Sequence, residues 1–124
     1  MSLVAPLTPV HWMGSSLDEL RAYPEGVQDV VGYALYLAQQ GRVHPLAKPL
    51  TGQLGGLMEV VADHAGNAYR SVYTLKLRGA VYVLHVFQKK SKRGIATPRH
   101  VVDLILRRRR QAAAHYATHY GKEQ

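Results

Sequence analysis

Two neighbouring strand-like runs, residues 69–77 and 80–88, most constrain the fold of this chain. The first alternates polar and apolar side chains, the second is rich in β-branched and aromatic residues, and Arg78-Gly79 stands between them. Such runs around a two-residue tip are typical of a β-hairpin. The register then pairs Leu77 with Ala80, Tyr73 with Leu84, Val72 with His85 and Arg70 with Phe87.

In this register the two faces of the hairpin differ in chemistry, because side chains alternate across a strand. One face is mainly apolar and must meet the helices: Tyr69, Tyr73, Leu75, Leu77, Tyr82, Leu84 and Val86. The other mixes apolar side chains with Arg70, Thr74, Lys76, His85 and Lys89. We therefore expect a partly open basic face on the hairpin.

Helical patterns precede and follow the hairpin. Ser16, with Glu19 three residues later, is typical of a capping box and predicts a short helix to about Ala22. Pro24 suits the first position of a second, amphipathic helix, which Gly41 would end.

A long terminal helix is predicted from Thr97-Pro98 to about Tyr120. The arginine run 107–110 sweeps all sides of this helix, so it is no single phosphate-binding stripe. We interpret it as a solvated face around the apolar stripe formed by Val101, Ile105, Ala112 and Tyr116.

The remaining segments predict a short strand at 11–13, a connecting loop at 42–56 and a short strand at 57–61. The expected class is α+β: an antiparallel, mixed-edge sheet of about four strands, two N-terminal helices and one C-terminal helix, with the helices on one face. Length and 47% hydrophobic composition suit one domain, 1–124.

Positive charge is concentrated in one part of the chain. Of the sixteen Lys and Arg residues, twelve lie between residues 70 and 110, together with one acid, Asp103. Such a field attracts polyanions through contacts that do not depend on base sequence. A solubilising surface remains the alternative; an anionic membrane is a weaker one, because the basic residues do not share one amphipathic helix.

Several classes of function are excluded or disfavoured. The chain has no cysteine, so it has no disulfide, thiolate metal site or cysteine nucleophile. The first ten residues do not resemble a signal peptide and no apolar run could span a bilayer, so we expect a cytoplasmic protein. The scattered histidines have no metal-site spacing, and His115 with His119 supplies too few ligands. We expect no metal and no cofactor.

The basic hairpin face has the groups that metal-free RNA cleavage requires: cations around the phosphate, a group that takes the 2′-hydroxyl proton, and a donor to the leaving oxygen. Arg70, His85, Lys89 and Lys90 are the candidate catalytic residues. Each is also a common surface or structural residue, and the prediction depends on their clustering. Candidate RNA-binding cations surround them: Lys76, Arg78, Lys92, Arg93 and Arg99.

Short motifs in a specific order resemble a known family. They are Lys48-Pro49-Leu50-Thr51-Gly52, Gly55 to Val60, Tyr69-Arg70-Ser71-Val72-Tyr73, Val81 to Ser91, Gly94 to Pro98 and Asp103-Leu104-Ile105. Over about residues 16–116, the chain looks like the phage-derived, HigB-like branch of the RelE/ParE toxin superfamily. Residues 1–15 are then an atypical N-terminal extension, and Val101 stands where an acidic residue is expected.

The resemblance implies a RelE-like fold and a type II toxin that acts as an mRNA interferase, cutting mRNA on the ribosome without a metal and so inhibiting translation. It also implies a helix-turn-helix, HigA-like antitoxin encoded beside the toxin. Arg70 and the segment 87–90 match the active surface of such toxins, and His85 is commonly present there.

Two alternatives stay open at this point. A ParE-like poison of DNA gyrase shares the fold, and fold does not determine target. A basic domain that only binds nucleic acid would have nearly the same sequence.

Overall fold

A computed structural model describes residues 7–89 and 97–121 of the chain. Its helices and strands follow the order β, α, α, β, β, β, β, α. They are β1 (Val10–Trp12), α1 (Ser16–Arg21), α2 (Glu25–Ala38), β2 (Ala47–Pro49), β3 (Leu57–His64), β4 (Asn67–Thr74), β5 (Val81–Lys89) and α3 (Arg99–His119). The α+β class is confirmed.

The strands form one mixed sheet in the order β1-β5-β4-β3-β2. All neighbours are antiparallel except β1 and β5, which pair in parallel from Val10↔Val81 to Trp12↔Val83. The sheet therefore has five described strands rather than about four. The additional strand, β2, lies within residues 42–56, which we expected to be a loop; Pro49 sits there on a sheet edge, where a missing N–H is tolerated.

Helices cover both faces of the sheet, so the prediction of one covered face is wrong. On one side, α1 and α2 pack Leu20, Val27 and Val31 against the sheet. On the other, α3 packs Ile105 and Ala112 against Leu57, Val72, Tyr82, Leu84 and Phe87. The physical reason is that both faces of β5 are apolar along much of its length, and each must be removed from water.

A β-bulge divides β5 into two halves. Val72 pairs with His85 and Arg70 with Phe87, as the sequence predicts, but Tyr73 pairs with Val83 instead of Leu84. Leu84 is thus the extra residue of the bulge. Val81 and Val83 face the α2 side before it, whereas Val86 does so after it.

The hairpin connection is longer than predicted. β4 ends at Thr74 and β5 begins at Val81, so residues 75–80 form the loop. The Tyr82 N–H donates a 2.9 Å hydrogen bond to Oγ1 of Thr74, the last residue of β4. The tight turn lies instead between β3 and β4, where Ala65 (φ 50°) and Gly66 (φ 82°) take left-handed conformations.

The helices begin close to the predicted positions, although the capping prediction for α1 is wrong. Ser16 is the first helical residue and is fully buried, and its hydroxyl donates to the Val83 carbonyl at 3.2 Å. Pro24 and Pro98 stand immediately before α2 and α3. No helix within residues 7–89 and 97–121 is long and apolar enough to cross a membrane.

Helix α1 completes the outer edge of β5 where the short strand β1 ends. The Val86 N–H donates to Oε1 of Glu19 at 3.0 Å, and the Gln88 N–H donates to the Tyr23 hydroxyl at 3.1 Å. Side chains of α1 and of the segment after it therefore satisfy backbone groups that an uncovered edge would leave open. This edge contact brings a carboxylate to the predicted site.

Candidate active site

Pairing of β4 with β5 places three of the predicted catalytic residues on one face of the sheet. Arg70 lies opposite Phe87, and Lys89 lies opposite Ala68, two residues later on β5 and two residues earlier on β4. His85 lies opposite Val72 on the same face, because alternate residues after the bulge point the same way. The common face that the sequence predicts for Arg70, His85 and Lys89 is present.

Arg70 is half-buried and held by a carboxylate. Its Nη1 lies 2.7 Å from Oε1 of Glu59 on β3, and the two side chains are 22% and 14% exposed. Its Nε is buried without a hydrogen-bond partner among the described residues. The planar guanidinium is therefore oriented by Glu59 but keeps donors for the oxygens of an anion such as phosphate.

His85 is almost buried, with 8% of its surface exposed, and it takes part in a charged cluster. Its Nδ1 lies 2.9 Å from Oε1 of Glu19. Its ring stacks on Phe87, with centroids 4.8 Å apart and an angle of 15° between the planes. Glu19 therefore holds the edge of the His85 ring, and Phe87 packs against its face.

Arg108 of α3 forms the third part of this cluster. Its Nη1 donates to both carboxylate oxygens of Glu19 at 3.2 and 3.1 Å and to the Leu84 carbonyl at 2.9 Å. Its Nη2 donates to the Ser15 hydroxyl at 3.0 Å, and that hydroxyl donates to Oε2 of Glu19. The carboxylate is thus surrounded by donors.

These donors lower the pKa of Glu19 to about 2, against an ordinary value of 4.5. Burial alone would raise the pKa of this carboxyl, but the hydrogen bonds from His85 and from the Val86 N–H, with the charges of His85 and Arg108, outweigh it. Glu19 is therefore ionised at neutral pH and only accepts hydrogen bonds.

The other predicted cations are dispersed. Lys90, Lys92 and Arg93 lie outside the described residues. Lys76 and Arg78 are exposed in the loop 75–80, at the opposite end of β5 from Lys89. At about 3.3 Å per strand residue, the length of β5 separates them from Lys89 by more than 20 Å. The structure does not bring them to the face of Arg70 and His85.

Arg99, the first residue of α3, contacts residues outside the cluster of Glu19, His85 and Arg108. Its Nε lies 3.1 Å from Asp103, and its Nη1 donates to the Gln53 side chain at 3.0 Å. Both groups of the Arg99–Asp103 pair are more than half exposed. Arg99 therefore stands at the end of α3, apart from the charged cluster.

The arginine run of α3 fits the interpretation as a solvated face at only two of its four residues. Arg107 and Arg110 are exposed, and Arg109 donates to the carbonyls of Gln53 and Gly55. Arg108 is 8% exposed and belongs to the site. Sequence reasoning missed Arg108 and Glu19, although the position of Arg108 between Ile105 and Ala112 on the buried stripe was an available signal.

The histidines near the end of α3 make an aromatic cluster. The His115 and His119 rings stack 3.9 Å apart, and Nδ1 of His119 lies 2.9 Å from the His115 carbonyl. His115 also contacts the Tyr82 hydroxyl, whose pKa burial raises to about 12. Among residues 7–89 and 97–121, no group of three or more His, Cys, Asp or Glu side chains could hold a metal ion.

Comparison with solved structures finds the toxin–antitoxin complex RelBE2 from Mycobacterium tuberculosis. The match has a TM-score of 0.46 and 22% identity, and it covers 68% of this chain and 100% of the other. No curated protein sequence matches the chain significantly.

A family model described as "Phage derived protein Gp49-like" matches residues 18–110. This range contains the segments that carry Glu19, Arg70, His85, Lys89 and Arg108. It agrees with the resemblance to a phage-derived family drawn from the short motifs. The chain belongs to the phage-derived Gp49-like protein family.

Proposed function

We propose that this protein is the toxin of a type II toxin–antitoxin system and cleaves mRNA on the ribosome without a metal. The observation that carries the proposal is the common face of Arg70, His85 and Lys89 on the β4–β5 hairpin. The HigB-like sequence motifs support the same function. The positive charge also supports it, because mRNA is a polyanion and the chain has a formal net charge of +8.

The chemistry assigns a role to each residue of this face. A base removes the proton of the 2′-hydroxyl, the 2′-oxygen attacks the adjacent phosphorus, and the bond to the 5′-oxygen breaks. His85 is the base, because a neutral imidazole accepts a proton near neutral pH. Arg70 binds the phosphate oxygens with its planar fork, and Lys89 supplies charge and a proton to the leaving oxygen. Lys90, which lies outside the described residues, is proposed as a second cation from the sequence alone.

The products of this reaction are a 2′,3′-cyclic phosphate and a 5′-hydroxyl, with no water or metal required for the cleavage step. The ribosome positions the mRNA against the basic face, and the cations contact its backbone without reading sequence. We propose that the protein acts in the cytoplasm, where translating ribosomes are present, and that a HigA-like helix-turn-helix antitoxin neutralises it.

The test is cleavage of mRNA on purified translating ribosomes, with Mg²⁺ held at the level that keeps ribosomes intact and a chelator selective for transition metals added after assembly. We expect new 5′-hydroxyl ends in the mRNA with the wild-type protein. Arg70→Ala should remove cleavage and growth arrest while leaving the fold intact. Arg42→Ala, which removes one exposed positive charge elsewhere, should leave both unchanged.

Two results would contradict the proposal. Growth arrest with intact transcripts and failing DNA supercoiling would indicate a gyrase poison. Binding of RNA without new 5′ ends would indicate a domain that only binds nucleic acid. Unchanged arrest in Arg70→Ala would remove that residue from the mechanism.

A further inference from the structure

The Glu19 carboxylate joins three parts of the fold at the predicted base. It lies on α1, accepts from the backbone of β5 at Val86, and contacts Arg108 of α3 and the ring of His85. Glu19 does not cap its own helix, and α1 has no side-chain cap hydrogen bond. The side chain is committed to the sheet and to His85.

The contacts of Nδ1 of His85 determine which ring nitrogen carries the proton in the neutral form. Glu19 only accepts and lies 2.9 Å away, whereas Arg108 only donates and its Nη1 lies 3.4 Å away. Nδ1 cannot both donate to Glu19 and accept from Arg108. The shorter contact with the ionised carboxylate favours a proton on Nδ1, while Arg108 donates to Glu19 and to the Leu84 carbonyl.

We propose that Glu19, held by Arg108, is a positioning residue that keeps the proton of neutral His85 on Nδ1 and so leaves Nε2 free to accept the 2′-hydroxyl proton. Nε2 makes no hydrogen bond with any residue that the structure describes. A carboxylate behind a histidine base has this effect wherever the outer nitrogen must be unprotonated. The inference rests on the proposed endonuclease function, but the proton position can be measured without it.

The contacts of Arg108 show how it holds Glu19 in place. The Arg108 side chain is 9% exposed, and its guanidinium contacts Glu19 and donates hydrogen bonds to the Ser15 hydroxyl and the Leu84 carbonyl. Gly14 (φ 54°) leaves room for it, since a Cβ there would lie 2.7 Å from Nε of Arg108. Glu19 is thereby held in one position relative to His85.

The first experiment is ¹⁵N NMR of the His85 ring in the isolated chain, at a pH where the imidazole is neutral, with His85→Gln used to assign the signals. We expect a protonated Nδ1 and an unprotonated Nε2 in the wild type. Glu19→Gln should raise the fraction of rings with the proton on Nε2, because a neutral amide oxygen is a weaker acceptor for the Nδ1 proton than the carboxylate. Asp18→Asn, an exposed acid on the same helix, should change nothing.

A wild-type ring with its proton on Nε2, or an unchanged ring in a folded Glu19→Gln variant, would overturn the inference. If Glu19→Gln does not fold, the wild-type spectrum alone decides. These outcomes do not depend on whether the protein cuts RNA.

The second experiment is single-turnover cleavage on ribosomes. Glu19→Gln should lower the cleavage rate about 100-fold or more without changing the ribosome concentration that gives half the maximal rate, because positioned proton transfer contributes about 10²–10⁴. Glu19→Gln cleaving at the wild-type rate would overturn the inference. If the wild type does not cleave, the proposed function fails, and the NMR result still tests the role of Glu19.

Discussion

Arg108 fills the space beside Gly14: a Cβ on Gly14 would lie 2.7 Å from Nε of Arg108 and 3.0 Å from its Cζ. Gly14 also has φ +54°, which disfavours a side chain. The loop between β1 and α1 therefore depends on glycine for two separate reasons, backbone conformation and the approach of a buried guanidinium.

Gly14→Ala should destabilise the protein by about 2–4 kcal/mol, since it combines a strained backbone with a clash against Arg108. The matched control is Gly41→Ala, at φ +74° with no atom within 4 Å of the added Cβ, which should cost about 1 kcal/mol. Urea unfolding measures both. Equal losses in the two variants would show that the Arg108 contact is unimportant.

Acid should weaken the fold through Glu19. The pKa of this carboxyl is about 2 in the folded protein and 4.5 as an ordinary value, so its contribution is fully present above about pH 4.5 and is lost as the pH falls toward 2. The shift corresponds to about 3 kcal/mol. Glu19→Gln should lose less free energy of unfolding between pH 6 and pH 2.5 than the wild type. Asp18→Asn provides the control, and parallel pH curves for wild type and Glu19→Gln would contradict this expectation.

Arg108→Ala should destabilise the protein by about 2–4 kcal/mol, because it leaves the Glu19 carboxylate and the Leu84 carbonyl without their charged donor. Arg107→Ala, next to it on the exposed face of α3, should change stability by less than about 0.5 kcal/mol. Thermal and urea unfolding of the two variants test the difference. Similar values would mean that the arginine run is a solvated surface throughout.

Tyr23→Phe should cost about 0.5–1.5 kcal/mol, since it removes the hydroxyl that accepts the Gln88 N–H but keeps the ring contact with Tyr69. The Gln88 amide should exchange with solvent faster in the variant, which hydrogen exchange followed by NMR measures directly. Tyr33→Phe, at a position 52% exposed, serves as the control and should leave stability and exchange unchanged. Unaltered protection of Gln88 in Tyr23→Phe would show that this edge contact is not maintained in solution.

Much of this fold could be predicted from the sequence because helix periodicity depends on residues that are close together in the chain. The periodicity of α2 and α3 follows from residues near one another in sequence. The pairing of Arg70 with Phe87 and of Val72 with His85 agrees with the prediction because the bulge offsets the one-residue difference in register near the loop. The bulge at Leu84 and the strand β2 could not be predicted in this way, because each depends on a partner elsewhere in the sheet. A register shift of one residue changes which face each side chain occupies.

The same distinction applies to the candidate site. Arg70, His85 and Lys89 could be predicted because one hairpin carries all three. Glu19 could not, because the pattern around Ser16 equally fits a capping box, and only the position of α1 beside β5 directs the carboxylate to the sheet. Arg108 could have been placed on the buried face of α3, but its partner lies on another helix.

The bulge at Leu84 makes β5 sensitive to length as well as to composition. Before it, Val81 and Val83 face α2 and Tyr82 faces α3; after it, the sides are exchanged, and His85 and Phe87 lie on the α3 side. Deleting Leu84 would make Val83 and His85 neighbours and would leave both halves facing as they do now, whereas deleting a residue within either half would put part of the strand out of phase with its helices. For this protein, a single-residue deletion within either half of β5 is therefore a more severe change than deletion of Leu84 itself.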